Sequence, residues 1–104
     1  MLEAIRAVQQ FTQDLDTASF SSDQKVVAAV AYHFVILGEA ARHVPVEVQA
    51  RYPLVPWAKI RGMRNVVAHE YRRIDVMVLW QTIQQDLPPI VPLLAEMLRL
   101  EPPS

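Results

Sequence analysis

The sequence predicts an all-α domain, an antiparallel bundle of four to five helices, on three observations. Apolar residues recur at three- and four-residue intervals along most of the chain. No stretch shows the two-residue alternation of a half-buried strand. Only two glycines occur in 104 residues, while the prolines gather at the boundaries between periodic stretches.

The elements follow in order. Leu2, Ile5, Val8, Phe11 and Leu15 stand at helical spacing and predict a first helix ending before Ser19. Ser21 followed three residues later by Gln24 reads as a capping box opening a second helix that runs to about His43. Its core side carries Val27, Val30, Phe34, Leu37 and Ala41, and Gly38 beside Ala40 and Ala41 lets another helix approach closely. Pro45 suits the first position of a short helix ending near Tyr52. After the turn between Pro53 and Pro56, a third main helix spans Trp57 to about Glu70. Asp75 caps a fourth through Val76, Leu79, Trp80 and Ile83, which Pro88 and Pro89 should interrupt or kink. A last apolar helix carries Val91, Leu94, Met97 and Leu98. The reading is one domain over residues 1–100 with a frayed tail at 101–104.

Composition narrows the function classes. Hydrophobic residues make up 52% of the chain, more than so small a domain hides internally. The excess predicts a partner surface, with a symmetric homodimer as the default. Ten basic against eleven acidic residues give no overall field for nucleic acid, so contact with RNA has to come from a local cluster such as Arg61, Arg64, Arg72 and Arg73. The absence of cysteine excludes disulfides and thiolate metal sites and fits a reducing cytoplasm. No apolar run is long enough for a bilayer, and Met1-Leu2-Glu3-Ala4 does not read as the start of a signal peptide, so a cytoplasmic location without membrane attachment is expected.

The chemistry-bearing segment is Ile60-Arg61-Gly62-Met63-Arg64-Asn65-Val66-Val67-Ala68-His69-Glu70-Tyr71. At ~100° per residue, Ile60, Met63 and Val67 share the core face, with Val66 at its edge. Arg61, Asn65, Ala68 and His69 lie on the other side, with Arg64 at its opposite margin. Arg64 and His69 differ by ~140° around the axis and ~7.5 Å along it. They therefore serve one ligand only if it is large or if a second helix completes the cleft. On spacing alone, an Arg and a His on the polar side of a helix are ordinarily solvated surface. The C-terminal end of a helix is also a favourable place for a cationic imidazole. His33 and His43, ten residues apart without a ligand-spaced carboxylate, do not form a metal site, and Trp57 and Trp80 read as core. No glycine loop for phosphate is present, and neither cofactor nor metal is expected.

The string Met63-Arg64-Asn65-Val66-Val67-Ala68-His69-Glu70-Tyr71 resembles the signature of HepT-like proteins of the HEPN superfamily: Arg-Asn, three residues, His, any residue, Tyr. Ile36-Leu37-Gly38-Glu39-Ala40-Ala41 resembles the family's second-helix motif, Tyr52-Pro53 with Pro56-Trp57 its linker, and Trp80 with Asp86-Leu87-Pro88-Pro89 its fourth helix. The likeness spans Phe20 to Leu94. Two departures stand out: relatives usually carry further residues ahead of the segment that begins at Met1, and many have a basic residue at the position of Tyr32.

The resemblance implies a HEPN-like homodimer that is the toxin of a type VII toxin–antitoxin system and cleaves RNA without metal. It implies catalysis by Arg64 and His69, with Asn65 and Glu39 in support. The residue types suit that chemistry. RNA supplies its own nucleophile, the 2′-hydroxyl. An imidazole titrates near ~6.5 and can move protons at neutral pH. A guanidinium stays cationic and grips phosphate oxygens. Asn65 stands four residues before His69 and can orient it, and Glu39 can pair with Arg61 or Arg64. Arg61, Arg72 and Arg73 are the expected phosphate contacts. The likeness also implies a partner, an MNT-type minimal nucleotidyltransferase that attaches AMP to Tyr71. The alternative is a non-catalytic HEPN module that binds a nucleotide or docks a nucleotidyltransferase.

Overall fold

The computed structural model describes residues 1–68 and 75–101. Among them every regular element is helical: α1 (Leu2–Thr12), α2 (Thr17–Ser22), α3 (Gln24–Arg42), α4 (Val46–Arg51), α5 (Trp57–Ala68), α6 (Val76–Gln81), a π-helical stretch Thr82–Asp86 and α7 (Leu87–Leu100). None of the described helices is long and apolar enough to cross a membrane.

The core forms where the apolar stripes meet. Ile5 and Val8 of α1, Val30, Phe34 and Leu37 of α3, Ile60 and Met63 of α5, Leu79 of α6 and Leu87, Ile90 and Leu94 of α7 are all essentially sealed from solvent. The most extensive helix pairing is α3 with α5, followed by α1 with α3. Gly38 explains the first. A Cβ built there would lie 2.6 Å from Cβ of Arg64, 3.0 Å from its backbone nitrogen and 3.1 Å from the carbonyl oxygen of Arg61. The two helices touch backbone to backbone because residue 38 has no side chain, as the sequence suggested.

Two caps differ from expectation. Ser21 does not open the second main helix; its hydroxyl donates to the carbonyl of Thr17 inside α2, a short helix the periodicity did not reveal. Asp16 caps α2 in a reciprocal box with Ser19, and Asp23 caps α3 by accepting from the Val26 amide at 3.1 Å. An aspartate offers a carboxylate to the same orphan amides that a serine would serve, so Asp23 takes the role predicted for Ser21. Asp75 caps α6 as expected, accepting from the amides of Met77 and Val78.

The paired prolines are absorbed. The amide of Leu87 bonds to the carbonyl of Thr82, five residues back, which widens the helix by one residue. Pro88 and Pro89 then follow directly in the first turn of α7, next to the widened turn, where they contribute no amide to the helix ladder. Phe11, expected in the core, is 39% exposed, because Thr12, four residues after Val8, takes the next buried position of α1 and its hydroxyl donates to the Val8 carbonyl at 2.8 Å. At the C-terminal end, Glu101 accepts from Nε of Arg51 at 2.8 Å and from the Tyr52 hydroxyl at 3.0 Å, which fastens the end of α7 to α4.

Candidate functional site

The crossing of α3 and α5 builds a polar depression of about 390 Å³ lined by Arg42, Ala58, Arg61, Gly62, Arg64 and Asn65. Each side chain arrives for a local reason. Ile60 and Met63 turn one face of α5 into the core. The positions between and beyond them, Arg61, Gly62, Arg64 and Asn65, then fall around the opposite side. Arg42 comes from the last turn of α3.

Glu39 fixes the geometry. Nε of Arg64 lies 2.6 Å from its Oε1, as an ion pair. Arg42, three residues on along α3, reaches the same oxygen at 3.5 Å. The Arg64 side chain is 42% exposed and that of Glu39 38%, so the pair stands in high dielectric and contributes only about 0.2–1 kcal/mol to stability. Its larger effect is positional. The ion pair keeps the Arg64 guanidinium at the edge of the recess, and a guanidinium there suits a phosphate. Of the two partners the sequence allowed Glu39, the structure selects Arg64, because Arg61 is held elsewhere. Nη1 of Arg61 donates to Oε1 of Gln49 at 3.0 Å, and Gln49 is itself anchored through Nε2 to the carbonyl of Val44 at 2.9 Å. Three guanidiniums thus converge on one recess in a chain whose net charge is close to zero.

Asn65 lies on the rim, exposed, in the polar strip where the spacing put it. His69, Glu70, Tyr71, Arg72 and Arg73 lie outside the described residues. His33 and His43 are tied to their own helix, each by a 2.7 Å contact of Nδ1 with the carbonyl four residues earlier. Among the described residues no group of three His, Asp or Glu side chains is placed to hold a metal ion. Sequence reasoning missed Arg42; its only signal was the three-residue spacing from Glu39. It also missed Gln49, which nothing in the periodicity of α4 marks as a partner of Arg61.

The ribonuclease HepT-like family matches residues 1–97, nearly the whole chain. The chain belongs to this HepT-like ribonuclease family. A protein of Methanocaldococcus jannaschii, provisionally named an RNase, is 34% identical over 90 residues, which cover 86% of this chain and 83% of the relative. A protein of Thermococcus cleftensis, provisionally named ribonuclease HepT, is 35% identical over 86 residues, or 83% of this chain and 78% of the relative. A third, from Caldanaerobacter subterraneus and also provisionally named an RNase, is 32% identical over 82 residues, or 79% of this chain and 73% of the relative. No solved structure matches.

Proposed function

We propose that this HepT-like chain is a metal-independent endoribonuclease, the toxin of a type VII toxin–antitoxin pair acting in the cytoplasm. The observation that carries the reading is Arg64, held through Nε by Glu39 at 2.6 Å on the edge of an arginine-lined recess. Such a recess attracts a phosphodiester. Its guanidiniums stabilise the charge that grows on the phosphate as the reaction proceeds. His69 supplies the proton transfers. The 2′-oxygen bonds to phosphorus as its proton leaves, the bond from phosphorus to the 5′-oxygen breaks, and that oxygen gains a proton. No metal is required for any of these steps. Arg72 and Arg73 extend the phosphate contacts beyond Arg61, and Asn65 orients His69 or the phosphate.

The ~140° between Arg64 and His69 on one helix favours a homodimer. With a two-fold axis beside α5, two copies of the motif line one groove, and each strand of RNA meets Arg64 and His69 across it. A cognate MNT-type nucleotidyltransferase completes the system by transferring AMP from ATP to the hydroxyl of Tyr71, releasing pyrophosphate. The added phosphodiester and base occupy the basic groove and repel the RNA backbone.

The test is cleavage of RNA by purified protein in the presence of chelator. Arg64→Ala should lose about 10²–10³-fold in rate, the size of one removed transition-state donor. His69→Ala should lose about 10²–10⁴-fold. Wild-type rates in both variants would overturn the assignment, and RNA binding without cleavage by the wild type would favour a non-catalytic module. Light scattering should show a dimer at micromolar concentration. Co-expression with the nucleotidyltransferase should add one or more AMP masses at Tyr71, and Tyr71→Phe should cut RNA yet escape that control. An unmodified wild type, together with a neutralised Tyr71→Phe, would mean that the partner acts by binding alone.

A further inference from the structure

Outside the arginine recess, one exposed feature of α3 has no role in the reaction as described. Tyr32 is 65% exposed, the most open aromatic side chain among the described residues. Its ring meets the edge of the His33 ring at 5.5 Å and 90°. His33 is not loose: its Nδ1 contacts the carbonyl of Ala29 at 2.7 Å, and its other side meets the Phe11 ring at 5.3 Å and 75°. Phe11 is the residue that left the core stripe of α1, and it too is partly open to solvent. Three rings from two helices therefore form a backed ledge on the surface.

The ledge is aligned with the recess. Glu39 follows Tyr32 by seven residues, so it points within ~20° of the same direction and lies ~10.5 Å further along α3. There Glu39 holds Arg64. Lys25 precedes Tyr32 by the same seven residues and is also exposed. One outward line on α3 thus runs from a cation, past an aromatic ring, to the arginine recess. Single-stranded nucleic acid is bound by this combination, a basic track for the backbone with aromatic faces for the bases.

We propose that Tyr32 is a base-stacking subsite for the RNA substrate. An unpaired nucleobase next to the phosphate at Arg64 lies on the Tyr32 ring, with Phe11 and His33 supporting the ledge. The inference rests on the ribonuclease reading and adds to it a preference for unpaired, splayed RNA over duplex, whose bases are stacked on one another and unavailable. Lys25 contacts the backbone on the far side.

The probe is a mixed-sequence single-stranded RNA oligonucleotide, 2′-O-methylated so that it lacks the nucleophile, and carrying a fluorescent base analogue. Wild-type protein should bind it and quench the analogue. Tyr32→Ala should weaken binding by about 5- to 150-fold, the equivalent of one base–aromatic stack, and abolish the quench. Tyr32→Phe should restore both, because the ring rather than the hydroxyl does the stacking. Tyr32 is exposed, so Tyr32→Ala should melt as the wild type does. Unchanged affinity and quench in Tyr32→Ala, with RNA still bound and cut, would overturn the subsite alone. Failure of the wild type to bind or cut any RNA would overturn the ribonuclease reading and the subsite with it. Dissociation of a dimer into monomers by Tyr32→Ala, with the quench retained, would show that a second copy of the chain covers this ring, and would also overturn the proposal.

Discussion

Gly38→Ala is the most informative single change in the molecule, because its effects on stability and activity can both be worked from one contact. The new methyl would lie 2.6 Å from Cβ of Arg64 and 3.0 Å from its backbone nitrogen. Carbon atoms pack at about 3.5–4.0 Å, so α5 has to move by about 1 Å. Overpacking of this kind costs about 1–3 kcal/mol. Removing a mid-helix glycine returns about 0.5–1 kcal/mol. The net loss is up to about 2.5 kcal/mol, a fall in Tm of up to about 20 °C for a domain of this size. The displaced residue is Arg64 itself, so in the role proposed for it kcat/KM for RNA should fall about 10²-fold, the effect of misplacing a catalytic group by that distance. Gly62 is the matched control. It also sits inside a helix, but a Cβ there meets nothing within 4 Å. Gly62→Ala should therefore gain about 0.4–1 kcal/mol and melt higher. Thermal unfolding of the two variants side by side, with a cleavage assay on Gly38→Ala, tests the pair. A Gly38→Ala protein that melts above the wild-type temperature, as Gly62→Ala should, would refute the close-contact reasoning.

Glu39→Gln should leave Tm within a few degrees of wild type, since the pair is half exposed, while slowing RNA cleavage through a less firmly held Arg64; an unchanged rate would remove Glu39 from the site. Asp75→Ala should cost about 0.5–2 kcal/mol in denaturant unfolding, because the amides of Met77 and Val78 lose their acceptor. The Arg51 guanidinium, helped by the Tyr52 hydroxyl, holds the Glu101 carboxyl below its ordinary value of 4.5. A group depressed in the folded state stabilises above that ordinary value and loses its contribution as pH falls through the folded one. Protection of the amides in the last turn of α7, measured against their intrinsic exchange rate at each pH, should therefore fall in acid below that value, and Glu101→Gln should abolish the dependence; equal protection profiles in the two proteins would sink it.

What was legible in the sequence was set by local periodicity and chemistry. The all-helical class, the core faces of α3 and α5, the cap at Asp75 and the close approach at Gly38 follow from residues within a turn or two of one another. The caps at Asp16 and Asp23 were not legible, because Ser21, Ser22 and Asp23 are all good capping residues in sequence, and only the chain direction after α1 decides among them. The choice of Arg64 over Arg61 as the partner of Glu39 was not legible either. It depends on Gln49, twelve residues before Arg61 and on another helix, having already engaged that arginine. Nor did the stripe of α1 show that Thr12 rather than Phe11 would enter the core, since both stand at helical spacing from Val8 and hydrophobicity alone favours the phenylalanine.

The site and the fold are joined at one turn of α3. Gly38 sets how near α5 comes, and Glu39, the next residue, sets where the guanidinium of Arg64 points once it has arrived. Proximity without the carboxylate would leave a long side chain free among its rotamers. The carboxylate without proximity would leave it out of reach. On the role proposed for Arg64, ribonuclease activity depends on two adjacent residues that never need to touch RNA, one acting through sterics and the other through charge. Their effects are separable in principle: Gly38→Ala should change stability and activity together, and Glu39→Gln should change activity with little change in stability. The two act on the same arginine, so their effects on rate should not add. A double variant Gly38→Ala/Glu39→Gln should cleave RNA little more slowly than the slower single variant, whereas independent sites would multiply their losses. Multiplicative losses would mean that Glu39 acts on the reaction by a route other than Arg64.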